Sequence, residues 1–218
     1  MLCLTFDDRN FDQWTNAAPV LARYNAHASF FPYGNLSRGD LDKLRILHSA
    51  GHTIGSHTFD HRRVPALLNR RILPFWRFWI SEVWPHKKTL NAIGIQLQSF
   101  AYPYGEYTEE SNVSLARHVN RLRGAGFRNY ITNGVSLVSL DSAYVKKESL
   151  STRPYVPSVL VGESYDTDIA DLCKAVERIA STDEVLVLTS HGISPDAKDI
   201  NMKMEWLIAL CEACQRGG

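Results

Sequence analysis

The chain has 218 residues, 44% of them apolar, and 24 Lys and Arg stand against 23 Asp and Glu for a net charge of +1. That balance offers no field for collecting nucleic acid or an anionic membrane surface. No apolar run reaches the roughly 18 residues of a membrane span, since the richest stretch, Ile72 to Trp84, is broken by Arg77, Ser81 and Glu82.

The length suits one domain over residues 1–218, with a core large enough to need no crosslinks. The four cysteines, Cys3, Cys173, Cys211 and Cys214, are correspondingly sparse. Acidic Asp7 and Asp8 come so soon after Met1 that no secretory leader pattern opens the chain, which fits a cytoplasmic protein or a mature or trimmed secreted one.

Short apolar runs alternate with segments of helical period, the pattern of an α/β domain with a largely parallel sheet. The first run, Leu2 to Phe6, is a strand that ends on Asp7 and Asp8. Two adjacent acids are either a solvated turn or a metal ligand beside a general base, where a divalent cation would relieve their repulsion. A helix over Asn16 to Tyr24 leads to a strand over Ala28 to Phe31, and a helix over Asp40 to Ala50 leads to a strand over Thr53 to Gly55. That third strand runs into His57-Thr58-Phe59-Asp60-His61. Imidazoles at i and i+4 can face one point and suit zinc; surface histidines are the plainer reading. Thr58 stands where an H-E-x-x-H protease has its glutamate, so any general base must come from elsewhere, and Asp7 is available.

A helix over Arg70 to Ile93 carries the aromatic segment Pro74 to Trp84, in which Phe75 and Trp79 share a face suited to core packing, a glycan-stacking wall or a subunit contact. The strand Ser99 to Tyr102 continues into Pro103-Tyr104-Gly105. This is a structural turn, or one that aims a backbone N–H at a developing oxyanion while its tyrosines pack on a sugar ring. A helix over Glu109 to Ala125 precedes a strand over Asn129 to Thr132, and Asn133 to Gly162 reads as loop. A helix over Asp166 to Ala180 feeds the strand Val185 to Thr189, which delivers His191 as a capping residue or a proton donor. The last helix, Asn201 to Arg216, holds the Cys211/Cys214 pair, read as helix packing.

Taken in order, Thr5-Phe6-Asp7-Asp8, Ala28-Ser29-Phe30-Phe31, Gly51-His52-Thr53-Ile54-Gly55-Ser56-His57 with His61, Tyr102-Pro103-Tyr104-Gly105 and the strand leading to His191 resemble the polysaccharide deacetylase (NodB-homology) family of carbohydrate esterases. The likeness spans Leu2 to Gly192. It implies a distorted, incomplete (β/α) barrel. It also implies that Asp8, His57 and His61 hold a divalent metal, zinc in most members and cobalt or nickel in some. Asp7 would be the base and His191 the acid, with Tyr104 supplying an oxyanion N–H in a substrate-facing turn that includes Tyr102 and Pro103. The implied reaction is removal of N-acetyl groups from an amino sugar or a glycan containing N-acetylglucosamine.

Two features depart from the common pattern. Ala101 stands where many members have an arginine that orients the base, and Arg128 to Gly134 lacks the usual Asp-Trp element. A branch of the family with an F-A-Y-P-Y-G turn also lacks both and has a later Arg-Pro element, for which Arg153-Pro154 is the equivalent here, unless Arg153 is only a surface ion-pair residue. The departures leave two other readings: a hydrolase of a small non-glycan amide, and a carbohydrate-binding pseudoenzyme.

Overall fold

The computed structural model describes residues 1–68, 75–125, 140 and 143–217. In chain order the elements are β1 (Leu2–Asp8), α1 (Phe11–Arg23), β2 (Ala28–Pro32), α2 (Arg38–Ser49), β3 (Thr53–Ile54), α3 (Val64–Leu68), α4 (Phe75–Phe78), a π-helical turn (Trp79–Val83), α5 (Trp84–Ala92), β4 (Ser99–Ala101), α6 (Glu109–Leu115), β5 (Arg121–Arg123), β6 (Val145–Lys146), β7 (Tyr155–Val156), β8 (Val159–Leu160), α7 (Ile169–Ala180), β9 (Glu184–Ser190), β10 (Ile193–Ser194), β11 (Met202–Lys203) and α8 (Met204–Gly217).

β1 is the centre of the architecture. Leu4 to Asp7 are all buried, as expected for a parallel strand covered on both faces. β1 pairs in parallel with β2 and β9, β2 with β3, and β9 with β8, while β6 lies antiparallel along the first part of β9. A second parallel sheet has the order β4-β5-β7. The two sheets curl toward each other. On one side a single bridge, Ser56 to Phe100, joins the end of β3 to β4. On the other side no ladder connects β7 to β8 among the described residues, and a file of buried hydroxyls spans the gap.

In that file Ser158 donates to the Gly124 carbonyl (2.8 Å) and Thr189 donates to Ser158 (2.7 Å), while the Thr5 hydroxyl, which donates to the Leu188 carbonyl (3.1 Å), lies 2.7 Å from that of Thr189. The result is the incomplete parallel barrel, with its polar residues at the C-terminal ends of the strands, where ligands of such folds bind.

The helices follow from spacing and caps. Phe11, Trp14, Ala17 and Leu21 are buried on one stripe of α1, and Trp14 packs on Phe11 and Phe30. α1 starts five residues before the expected Asn16 and accommodates Pro19 in its interior. Ser37 and Asp40 form a capping box at α2, and Asp168 caps α7 by accepting from the Ala170 and Asp171 N–H groups.

Two expectations change. The helix predicted over Glu109 to Ala125 stops at Leu115, because Arg121–Arg123 is taken up between β4 and β7 as β5; pairing overrides local period here. The segment read as a loop contains β6, β7 and β8, each only two residues long and therefore without a visible alternation. Residues 70–74 of the predicted aromatic helix and the predicted strand Asn129 to Thr132 lie outside the described residues. From Phe75 on, the aromatic segment packs inward through Phe75, Phe78 and Trp79. Phe75 and Trp79 stack on His118, with ring centroids 5.8 and 4.2 Å away. In α8, burial pushes the Cys211 thiol up to about 12, consistent with packing.

Removing one hydroxyl from the closing file leaves a buried donor unpaired. Ser158→Ala is expected to lose about 1–3 kcal/mol in urea unfolding, and Ser158→Ala/Thr189→Val less than the sum of the two single changes. Strict additivity would show that the file is not a unit.

Candidate active site

β1 stops at Asp8, whose φ of 80° turns the chain out of the strand. Both terminal carboxylates then face one neighbour: Asp7 Oδ2 and Asp8 Oδ1 lie 3.8 and 3.7 Å from His57 Nε2. β3 sends His57 and His61 to the same place, with their Nε2 atoms 3.2 Å apart. His191, just beyond β9, brings its Nε2 to 3.8 Å from Asp8 Oδ2.

The ring nitrogens are set from behind. His57 Nδ1–H donates to the Ala101 carbonyl (2.9 Å), which leaves the Nε2 lone pair facing the centre. Burial pushes the His57 imidazolium down to about 4, against the nearby Asp7 charge, so the ring is neutral at physiological pH. His191 Nδ1–H donates to the Ile200 carbonyl (3.1 Å), and the indole N–H of buried Trp14 donates to the His191 carbonyl (2.7 Å). For Asp8, burial alone would raise the carboxyl, but His61, His57 and His191 around it outweigh burial and hold it below its ordinary value.

Asp8, His57 and His61 form the one metal-capable group of three among the described residues, with ligand atoms within 4.8 Å of one another. A cation fits their chemistry. Asp8 Oδ1 is buried with no hydrogen-bond partner among the described residues, although His61 Nε2 is only 3.4 Å away, and a nitrogen, nitrogen, oxygen donor set of this kind suits zinc with a position left open.

Arg123 is the residue that sequence reasoning missed. β5 pairs with β4 so that Arg123 stands beside Ala101, and its Nη2 lies 2.5 Å from both oxygens of Asp7. The guanidinium is almost wholly buried, packs over the Phe31 ring at 5.5 Å, and keeps Nε and Nη1 without partners among the described residues. Because residues 109–125 read as one helix, no signal marked Arg123 as facing the site. Arg153, the candidate from the later Arg-Pro element, is exposed in the turn before β7.

Tyr165 is a second missed residue. Burial and then the Asp7 and Asp8 charges push its phenol well above the ordinary range, so it is a neutral hydroxyl close to both carboxylates. In the aromatic turn, Tyr102 is buried and donates to Asn112 (2.9 Å), so its side chain serves the core, and Pro103 is buried as well. Tyr104 is 47% exposed. Its ring lies 4.8 Å from that of His61, and Arg63 sits over it at 4.1 Å. Gly105 is required: at φ 69° an added Cβ would lie 2.0 Å from the Ala125 carbonyl oxygen.

The model of the polysaccharide deacetylase family matches residues 1–121, more than half of the chain. The chain belongs to this family. YxkH of Bacillus subtilis strain 168, which carries the polysaccharide deacetylase name, is 31% identical over 114 residues, 50% of this chain and 38% of that protein. A gellan lyase from a Bacillus species is 31% identical over 156 residues, 69% of this chain and 6% of the lyase. The chain therefore spans well under half the length of these relatives. Among solved structures, a family 4 carbohydrate esterase pseudoenzyme from Bacillus anthracis superposes with a TM-score of 0.60 at 12% identity, over 100% of this chain and 61% of that one, a likeness of fold.

Neutral His57 has a consequence for stability. Its folded-state value of about 4 lies below the ordinary 6.5, so between those pH values the unfolded chain binds the extra proton. Metal-free protein should be at full strength above pH 6.5 and lose up to about 3 kcal/mol from this residue as pH falls to 4. Buried His52 and His86, also shifted down by burial, add in the same sense. Urea midpoints across this window should fall less steeply for His57→Gln than for the wild type; equal slopes would contradict a neutral buried His57.

Proposed function

We propose that residues 1–218 act as one catalytic unit, a metal-dependent hydrolase that removes N-acetyl groups from an amino sugar or a glycan containing N-acetylglucosamine. The observation that carries this reading is the convergence of a metal-capable Asp8/His57/His61 group, an Arg-gripped Asp7 and His191 at one barrel end. Binding alone needs neither a base nor an acid. A divalent cation, zinc above all, with cobalt or nickel as alternatives, would be held by Asp8, His57 and His61 and would supply positive charge for polarising water and the amide oxygen.

Asp7 takes the proton of the attacking water. Arg123 holds that carboxylate in one orientation, so its free lone pairs stay aimed at the reaction space. The Tyr104 backbone N–H faces the developing oxyanion, and the Tyr104 ring, tilted against His61 and partly open to solvent, offers a platform for a sugar face. His191 Nε2–H protonates the departing nitrogen while Nδ1–H stays bound to Ile200. Acetate and a free amine leave. A neutral sugar amide fits a chain of net charge +1, because the charges that matter are local.

Replacing His57 or His61 by Ala should remove bound metal and acetate release together, and Asp7→Asn should keep the metal but lower kcat by on the order of 10²- to 10⁴-fold. Acetate assays over chitooligosaccharides and small amides, with metal analysis, check both the chemistry and the substrate class. Full activity of His57→Ala after chelation would sink the mechanism, and glycan binding without turnover in metal-loaded protein would establish the pseudoenzyme.

Arg123 answers the objection raised by Ala101. Arg123→Ala should cost on the order of 10²-fold in kcat with little change in KM, since it misplaces the base without touching the sugar. The exchange Ala101→Arg/Arg123→Ala, made between register partners on adjacent strands, should recover part of the loss. An Arg123→Ala enzyme with wild-type kcat would show that the pair is structural only.

A further inference from the structure

The loop that carries both histidines adopts an intrinsically poor backbone. Thr58 (φ 67°) and His61 (φ 53°) lie in the left-handed region, which is costly above all for a β-branched residue. Such a loop keeps its shape only if its surroundings over-determine it.

Two buried polar side chains reach it from behind, one helical turn apart on the aromatic segment. Glu82, 1% exposed and within the π-helical turn, accepts the Asp60 N–H at 2.9 Å. His86, also 1% exposed, donates through Nε2–H to the Gly34 carbonyl (2.8 Å) and accepts through Nδ1 from the Ser56 hydroxyl (2.9 Å). Ser56 directly precedes His57 and is the residue that bridges β3 to β4. Gly34 in turn receives the Thr58 carbonyl on its own N–H (3.4 Å). The Phe59 ring meets His86 edge-on at 6.2 Å. The bonds of Glu82 and His86 thus bracket residues 56–60, with one ligand inside the bracket and the other next to it.

We propose that Glu82 and His86 are positioning residues of the metal site, fixing the His57–His61 loop in its ligand-presenting conformation. A carboxylate in the core is a poor device for stability alone, since an apolar side chain of similar volume serves as well or better. What Glu82 adds is direction, because its carboxylate dictates where the N–H group of Asp60 points. Isolated π-helical turns are rare and are found frequently at functional sites, and this one places Glu82 against the loop.

The inference rests on the metal reading above and is tested on metal affinity rather than on turnover. Zn²⁺ dissociation constants from chelator competition, and the visible spectrum of the Co²⁺-loaded protein, would be compared at 25 °C for wild type, Glu82→Leu, Glu82→Gln, Ser56→Ala and Ser158→Ala. Glu82→Leu should weaken Zn²⁺ binding by about 10- to 100-fold and alter the Co²⁺ bands. Glu82→Gln, which retains an acceptor oxygen, should stay within a few-fold of wild type. Ser56→Ala, which removes one hydroxyl and little volume, should weaken binding by about tenfold and carries the test if Glu82→Leu fails to fold. Ser158→Ala, destabilised but remote from the loop, should bind as wild type does. Wild-type affinity in both Glu82→Leu and Ser56→Ala, or an equal loss in Ser158→Ala, overturns the assignment while leaving the metal site intact. A wild-type protein that binds neither ion overturns the metal reading itself.

Discussion

Two neighbouring carboxylates can serve one centre only if the strand stops being a strand between them. In regular β structure Asp7 and Asp8 would project to opposite faces. The φ of 80° at Asp8 breaks that alternation, and both carboxylates come within 4 Å of the same His57 nitrogen. Aspartate tolerates the left-handed region better than most residues, so this is an inexpensive place for the break. Much of the rest follows from it. The chain leaves β1 sideways and begins α1 at Phe11, and α1 places Trp14 under the His191 carbonyl. Asp7, Asp8 and the Trp14 support of His191 are thereby tied to about ten consecutive residues.

Concentrating negative charge there requires compensation, and it comes from two directions. Toward the opening, Asp8 is surrounded by three imidazoles and a space suited to a cation. Toward the interior, buried Asp7 is matched by buried Arg123. Parallel register places Ala101 and Arg123 side by side on one face of the second sheet, so the small residue leaves room for the long one to pass. A guanidinium reaching Asp7 therefore does not have to start from position 101. The likeness to a pseudoenzyme is one of fold at 12% identity and leaves this charge arrangement as the relevant fact about the chain.

The strands that carry chemistry were legible from the residues because each is a compact apolar run with a polar exit. Asp7, Asp8, His57, His61 and His191 all occupy such exits and meet in space. What was illegible had a common cause. β5, β7 and β8 are two or three residues long and exist because neighbouring strands accept their hydrogen bonds, so no local period announces them. Arg123 sits on one of these strands, Tyr165 follows another, and Arg153 looked the better arginine only because sequence order conceals which residues are register partners. The aromatic segment misled in a different way. Its tryptophans drew attention, while its contribution to the site is made by Glu82 and His86 between and beside them.

The distribution of backbone strain points to the same end of the barrel. Seven described non-glycine residues have positive φ: Asn25, Asp166 and Asp199, of types that tolerate it, and Asp8, Thr58, His61 and Tyr104, all at the site. Thr58 and Tyr104 are the two for which the conformation is least favourable, at a cost of about 1–3 kcal/mol each. Neither is held by its own loop alone. Thr58 lies between the Glu82 and His86 contacts, and Tyr104 belongs to a row of tilted contacts in which Tyr33, His61, Tyr104 and Arg63 follow one another at 4.7, 4.8 and 4.1 Å. That row has a mechanical meaning for His61. Unlike His57, which is anchored by a hydrogen bond through Nδ1, His61 is in contact with the rings of Tyr33 and Tyr104. Tyr104, half-exposed at the mouth, is thus linked to the metal-capable Asp8/His57/His61 group through a single aromatic contact.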